Sequence, residues 1–295
     1  MSAERTVEPV QRMVEVNGHQ IAVIDGTKGG SGPAIVFVHG ILMSVDLWPR
    51  LIRGTFLDHC RWISVGLPGH HPSAAPENFQ RQDVTEALFS DCLTAAIEAV
   101  FAEEQVHLVG WSTGGYAALM TVFEHPNKVK SVISLSGFVQ GQWSHLLGHF
   151  QEACRSWWRG WMVLVGMNLV AWSPQLYRAF EWLVTIKRRP ESALLDEVTE
   201  LSYNAYRQHD KQVLRSLFAG LRDIDSSARL AEIQAPVLVL GGERDKIVVP
   251  AEAEHIAERL PHATLIQQSD VGHMFYVEGR EQTLLRIEEW IRQWE

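Results

Sequence analysis

Apolar positions along this chain recur with two periods, and their order predicts the architecture. Arg12–Val16 and Gln20–Ile24 read as strands flanking Asn17-Gly18, a dipeptide suited to a two-residue hairpin turn. Beyond the glycine-loaded loop 26–33, the unbroken apolar run Ala34–Val38 predicts a strand covered on both faces. Arg61–Val65, Val106–Trp111, Val129–Leu135, Pro236–Leu240 and Ala263–Gln267 read as further short strands. Asp83–Phe101 and the segment through Tyr116, Ala117, Leu119, Met120 and Phe123 read as helices. Strands separated by helices predict an α/β protein with a mostly parallel central sheet and helices on both faces, with its chemistry at the carboxyl ends of the strands.

From about Phe138 to Ser226 the pattern turns helical, too long for a structureless loop. The expected organisation is therefore a core in two parts, residues 1–137 and 227–295, with a helical cap over 138–226. The cap stretch holds Trp143, Trp157, Trp158, Trp161, Trp172 and Trp182, six of the eleven tryptophans. Each taken singly reads as packing within a small subdomain. Together they predict a wide apolar roof over the strand ends, suited to a lipophilic or aromatic substrate.

Composition adds limits. At 46% hydrophobic and 21% charged, the 295 residues can bury an ordinary core. The net charge of −9, without a basic stripe, disfavours nucleic acid and anionic membranes as partners. No charge-free run spans a bilayer, so no transmembrane segment is expected. Cys60, Cys92 and Cys154 lie far apart in sequence and form no metal or redox pattern. The N-terminal MSAERTVEPVQ lacks the apolar core of a signal peptide, and a cytoplasmic protein is expected. No dinucleotide fingerprint follows the first parallel strand and the histidines form no close ligand pair with a carboxylate at zinc spacing, so neither cofactor nor metal is assigned.

The candidate chemistry centres on Gly110-Trp111-Ser112-Thr113-Gly114, between a strand-like run and a helical one. Glycines on either side let strand and helix pass closely at a sharp turn, lifting the serine hydroxyl out of the strand end. A serine nucleophile needs a base, and the base needs a group to fix its tautomer. Asp245, after the strand ending at Leu240, and His273, after the strand ending at Gln267, lie on loops that project to the same sheet edge. Helix-start amides near Thr113, and the amide of Ile41 in the turn after Val38, are candidate donors to an oxyanion. Each assignment has a plainer rival: a helix cap for Ser112, an Asx turn for Asp245, a structural histidine for His273. Asp270 and Glu243 compete for the acid's role, and His39 is expected to support the oxyanion turn. His70 and His71 read equally as surface or functional residues. Met43, Trp48, Trp111 and Met274 adjoin the reacting groups and, with Trp143, Trp157, Trp158 and Trp161, are the candidate pocket residues.

With HG at 39–40, GWSTG at 110–114, GERDKIVVP at 242–250 and GH at 272–273, the chain resembles the α/β-hydrolase fold superfamily, in particular members with a helical cap after the sixth strand. The resemblance runs from about Arg12 to Trp294. It implies Ser112 as nucleophile, Asp245 as acid, His273 as general base, and Ile41 and Thr113 as oxyanion donors. Where many relatives carry D-L-P-G-H-G-x-S, this chain has Gly66-Leu67-Pro68-Gly69-His70-His71-Pro72-Ser73, a change expected to reshape a supporting loop. Serine rather than aspartate at position 112 argues against hydrolytic dehalogenases and most epoxide hydrolases. The expectation is a serine hydrolase acting on an ester or thioester of a fairly apolar small molecule. An acyltransferase, a carbon–carbon bond hydrolase and a small-molecule receptor are the alternatives.

Overall fold

The computed structural model describes residues 8–143, 145–184 and 193–295, so the leader reading of the N-terminus lies, up to residue 7, outside the described residues. The strands are β1 (Val10–Val16), β2 (His19–Asp25), β3 (Ala34–Val38), β4 (Arg61–Val65), β5 (Val106–Trp111), β6 (Val129–Leu135), β7 (Val237–Gly242) and β8 (Ala263–Gln268). They form one sheet in the order β1-β2-β4-β3-β5-β6-β7-β8. β1 and β2 are antiparallel and join the parallel remainder through β4. The helices follow in chain order. α1 (Leu47–Ile52), α2 (Phe56–His59), α3 (Glu86–Phe101) and α4 (Thr113–Glu124) precede β6. α5 (His145–Arg155), α6 (Trp157–Trp172), α7 (Pro174–Val184), α8 (Ala193–Gln208) and α9 (Lys211–Leu221) lie between β6 and β7 as the inserted helical cap. α10 (Pro250–Arg259), α11 (Phe275–Glu278) and α12 (Arg280–Gln293) complete the core.

The hairpin turn has left-handed backbone at Asn17 (φ 50°) and Gly18 (φ 79°), as its residue types predict. Strand β3 is buried at every position because it runs between β4 and β5 with apolar layers on both sides. Val36 and Val38 enter the layer shared with α3 and α4. Ile35 and Phe37 enter the opposite layer, shared with Trp48, Trp111 and α12. This period-two split makes β3 and β5 a stiff platform. Helix α3 starts three residues later than the apolar pattern predicts. Thr85 turns extended (φ −125°) and its hydroxyl accepts from the Leu88 amide, capping the helix there.

The cap packs onto the same layer as α3 and α4 through Trp143, Met167, Tyr177, Val213 and Phe218. Its tryptophans divide unexpectedly. Trp143 is buried, whereas Trp157, Trp158, Trp161, Trp172 and Trp182 are exposed. Five of the six therefore neither pack a core nor roof the strand ends. Helix α6 is apolar except at Arg159 and Asn168, and the face carrying Gly160, Met167 and Ala171 is the buried one.

Candidate active site

Strand β5 ends and α4 begins at Ser112, whose backbone sits at φ 54°, ψ −117°. This strained conformation holds because the surroundings over-determine it. The Ser112 amide donates to the Leu135 carbonyl (2.8 Å), and its carbonyl accepts from the Tyr116 amide (3.1 Å). A Cβ on Gly110 would lie 2.1 Å from the Gly114 carbonyl oxygen, and one on Gly114 would lie 2.5 Å from the Val38 carbonyl oxygen. Strand, helix and the β3 terminus pass too closely there for any side chain.

Three buried side chains meet at this turn. Ser112 Oγ lies 3.0 Å from His273 Nε2, and His273 Nδ1 lies 2.8 Å from Asp245 Oδ2. The carboxylate accepts from Nδ1–H, which leaves Nε2 as the acceptor for the serine hydroxyl. Asp245 Oδ1 meanwhile accepts the amides of Ile247 (2.8 Å) and Val248 (2.9 Å). The Asx turn and the contact with histidine are thus the two oxygens of one carboxylate. Asp270 points away, exposed and paired with Arg244 at 3.0 Å.

The loop carrying His273 is held from two sides. Trp111 Nε1–H donates to the His273 carbonyl at 3.0 Å, and the Gly272 amide donates to the buried Glu278 carboxylate at 2.8 Å. Neither contact had a sequence signal, since both depend on how the last loop folds over β5.

Ile41 lines the same cavity as Ser112, and Thr113 follows Ser112 in the chain. Among the described residues neither amide donates to a protein acceptor, and Thr113 is the first residue of α4, where helical amides lack partners. Three buried histidines brace the turn containing Ile41. His39 Nδ1–H donates to the Gly40 carbonyl (2.8 Å) while Nε2 accepts the Leu67 amide (3.1 Å). His70 Nδ1–H donates to the Pro68 carbonyl (3.0 Å) while Nε2 accepts the Leu42 amide (3.0 Å), whose residue lies at φ 71°. His209, between α8 and α9, accepts the His71 amide at Nδ1 (2.9 Å) and donates from Nε2 to the Met43 carbonyl (3.0 Å). Each ring has one nitrogen committed as acceptor and must be neutral. Burial lowers the pKa of His39 to about 4 and that of His209 to about 3, and burial together with its two ring neighbours holds His70 well below the ordinary range. The Gly-Leu-Pro-Gly-His-His loop thus supports the turn containing Ile41 through His70. Sequence left that residue undecided and gave no sign of His209.

Above Ser112 lies an apolar cavity of about 70 Å³. Ser112, His273 and Ile41 line it, together with Met43, Trp111, Trp143 and Met274 of the candidate pocket residues. Trp48 does not. It is buried below the site, stacked on Phe37 (4.9 Å) and Phe275 (5.6 Å), with Nε1–H donating to the Val38 carbonyl. Trp157, Trp158 and Trp161 also lie outside, on the outer face of α6. The cap contributes Leu147, Tyr177, Phe180, Glu181 and Phe218 instead. These residues were missed because helical periodicity does not tell which face of a cap meets the core. The roof is consequently tight rather than wide. Among the described residues, the buried Thr113 Oγ1 and Trp143 Nε1 at the site have no hydrogen-bond partner. Glu181 is buried and its two oxygens accept from Thr199 Oγ1, each at 3.1 Å.

Residues 33–280 match the family described as alpha/beta hydrolase fold. The chain is 25% identical over 261 residues to a pimeloyl-[acyl-carrier protein] methyl ester esterase of Chromobacterium violaceum, covering 87% of this chain and 93% of that one. Among solved structures it is similar to the esterase RhEst1 from Rhodococcus sp. ECU1013, with TM-score 0.76, 20% identity and coverage of 98% and 100% of the two chains. The esterase EaEST from Exiguobacterium antarcticum superposes with TM-score 0.77 at 18% identity, covering 96% of this chain and 100% of that one.

Proposed function

The chain belongs to the α/β-hydrolase fold family, and from that premise we propose that it is a serine hydrolase cleaving a carboxylic ester or thioester of a small, fairly apolar molecule. The observation that carries this reading is the unbroken chain Asp245–His273–Ser112, opening on an apolar cavity. His273 Nε2 takes the Ser112 proton as Oγ bonds to the substrate carbonyl carbon. The carbonyl electron pair moves to oxygen, where the Ile41 and Thr113 amides receive it. Collapse expels the alcohol or thiol, which leaves with the proton from His273. Water, deprotonated by the same ring, then attacks the acyl-enzyme and releases the acid. Asp245 keeps the ring in one tautomer throughout. The relatives support an ester as substrate: one is named for a methyl ester, and the solved structures are esterases. The cavity of about 70 Å³ favours a short group on the acyl side. The three cysteines are buried thiols, which fits a reducing compartment, and we place the protein in the cytoplasm.

A fluorophosphonate probe tests the assignment. Intact mass should rise by one phosphonyl group, peptide mapping should place it on Ser112, and hydrolysis of p-nitrophenyl acetate should stop in proportion. Labelling elsewhere, or full turnover by the labelled protein, overturns it.

A further inference from the structure

The cap's outer surface has no part in the chemistry above and carries a run of exposed large apolar side chains. On α6, Trp158, Trp161, Val165, Leu169 and Trp172 follow one another at spacings of three and four residues and form one continuous exposed stripe. Trp161 is 66% exposed and Trp172 83%. Helix α7 adds the exposed Leu176 and Trp182, while Tyr177 and Phe180 of the same helix line the cavity. Helices that are apolar all round are ordinarily buried, and contiguous exposed apolar patches mark interaction sites.

Charge identifies the occupant. The only charged residue of α6 is Arg159, whose guanidinium stands 5.2 Å over the Trp158 ring. Helix α7 adds the exposed Arg178. The one carboxylate in residues 157–182, Glu181, is buried among the cavity residues. In a chain of net charge −9 the exposed charges that α6 and α7 carry among the described residues are therefore both arginines. Indoles beside arginines are the side chains that settle at the headgroup level of a bilayer, where the ring is half apolar and the guanidinium meets phosphate. We propose that the α6–α7 face docks on a phospholipid bilayer containing anionic lipids.

The 16 residues of α6 extend only about 24 Å, short of the roughly 30 Å hydrocarbon core, and among the described residues no helix is long and apolar enough to cross a membrane. The helix lies on the surface. A second copy of the chain fits less well, because a two-fold contact on this face brings Arg159 and Arg178 toward their own counterparts. The acidic charge elsewhere, which disfavoured membranes in the whole-chain balance, is screened beyond about 8 Å at physiological salt. The charges on the contact face then decide.

Flotation tests this without reference to catalysis. The wild-type protein should float with vesicles of roughly three parts phosphatidylcholine to one part phosphatidylglycerol, and less with phosphatidylcholine alone. The combined variant Trp158→Ser, Trp161→Ser, Trp172→Ser should lose more than about tenfold in partitioning while keeping its melting temperature and ester hydrolysis. Arg159→Glu with Arg178→Glu should weaken binding to the anionic vesicles and leave the neutral ones unaffected. Wild-type protein that stays with neither vesicle, or a tryptophan variant that floats equally well, overturns the proposal. So does equal binding to both vesicle types. A dimer by light scattering that the tryptophan variant dissolves, without vesicle binding, assigns the face to a second copy. Binding to polyglutamate alone assigns it to an acidic protein.

Discussion

His209, in the link between two cap helices, donates a 3.0 Å hydrogen bond to the carbonyl of Met43, two residues beyond the Ile41 amide. The cap thereby helps hold the turn proposed above to meet the developing negative charge, in addition to covering it. The ring's other nitrogen accepts the His71 amide, so one side chain joins the cap, the oxyanion turn and the Gly-Leu-Pro-Gly-His-His loop.

Removing that ring should loosen the turn. His209→Ala leaves a buried amide and a buried carbonyl unpaired, at a cost of about 1–3 kcal/mol in stability. It should also lower kcat about tenfold with little change in KM, since oxyanion donors act on the transition state. His209→Gln, which keeps a donor and an acceptor, should recover part of the loss. Steady-state kinetics on a soluble ester, beside a urea melt, check both. An unchanged kcat in the alanine variant separates His209 from the turn.

Acid should unfold the protein through the same histidines. Their folded pKa values lie below the unfolded value near 6.5: about 4 for His39, about 3 for His209, and well below the ordinary range for His70. His107, buried beside Ser131, is also lowered to about 4. Between those limits the unfolded chain binds more protons, so stability is complete above about pH 6.5 and falls as pH drops toward 4. Each such ring contributes a slope of up to about 1.4 kcal/mol per pH unit. Urea melts at several pH values from 7 to 4.5 should show a steepening loss; a flat profile means these rings are not held neutral.

Gly110 should tolerate no side chain. The Gly110→Ala Cβ meets the Gly114 backbone at 2.1 Å, and backbone cannot swing aside as a flexible side chain can. The turn must open, at a cost of at least about 2 kcal/mol, and Ser112 leaves the reach of His273. Thermal melting and fluorophosphonate labelling should decline together. Gly54→Ala is the contrasting case for space: it meets nothing within 4 Å, so only its φ of 73° opposes it and labelling should be retained.

Acyl-chain preference should follow the cap wall. With about 70 Å³ above Ser112, kcat/KM should fall as the acyl chain of p-nitrophenyl esters lengthens beyond about four carbons. Phe180→Ala, which removes a ring from that wall, should shift the optimum to longer chains by about tenfold in relative kcat/KM. An identical profile in both proteins excludes Phe180 from the acyl side.

Much of the core was legible because its signals are local. Ala34–Val38, Arg61–Val65 and Val106–Trp111 have the bounds their apolar runs predict, since a strand covered on both faces is apolar throughout. Gly110 and Gly114 announce a close crossing, and the order Ser112, Asp245, His273 follows from loops after parallel strands sharing an edge. The chain by itself therefore determined the sheet, the turn at Ser112 and the residues brought to it. Only the tertiary structure decided which surfaces face which. In α6 only Arg159 and Asn168 are polar, so periodicity carries little phase, and docking through Gly160, Met167 and Ala171 sends the tryptophans outward. For the same reason Trp48 lies beneath the site, His209 reaches the oxyanion turn from 166 residues away, and Phe180 and Tyr177 form the roof. Contacts between distant segments depend on how helices rotate against the sheet, and no local pattern of residues records that rotation.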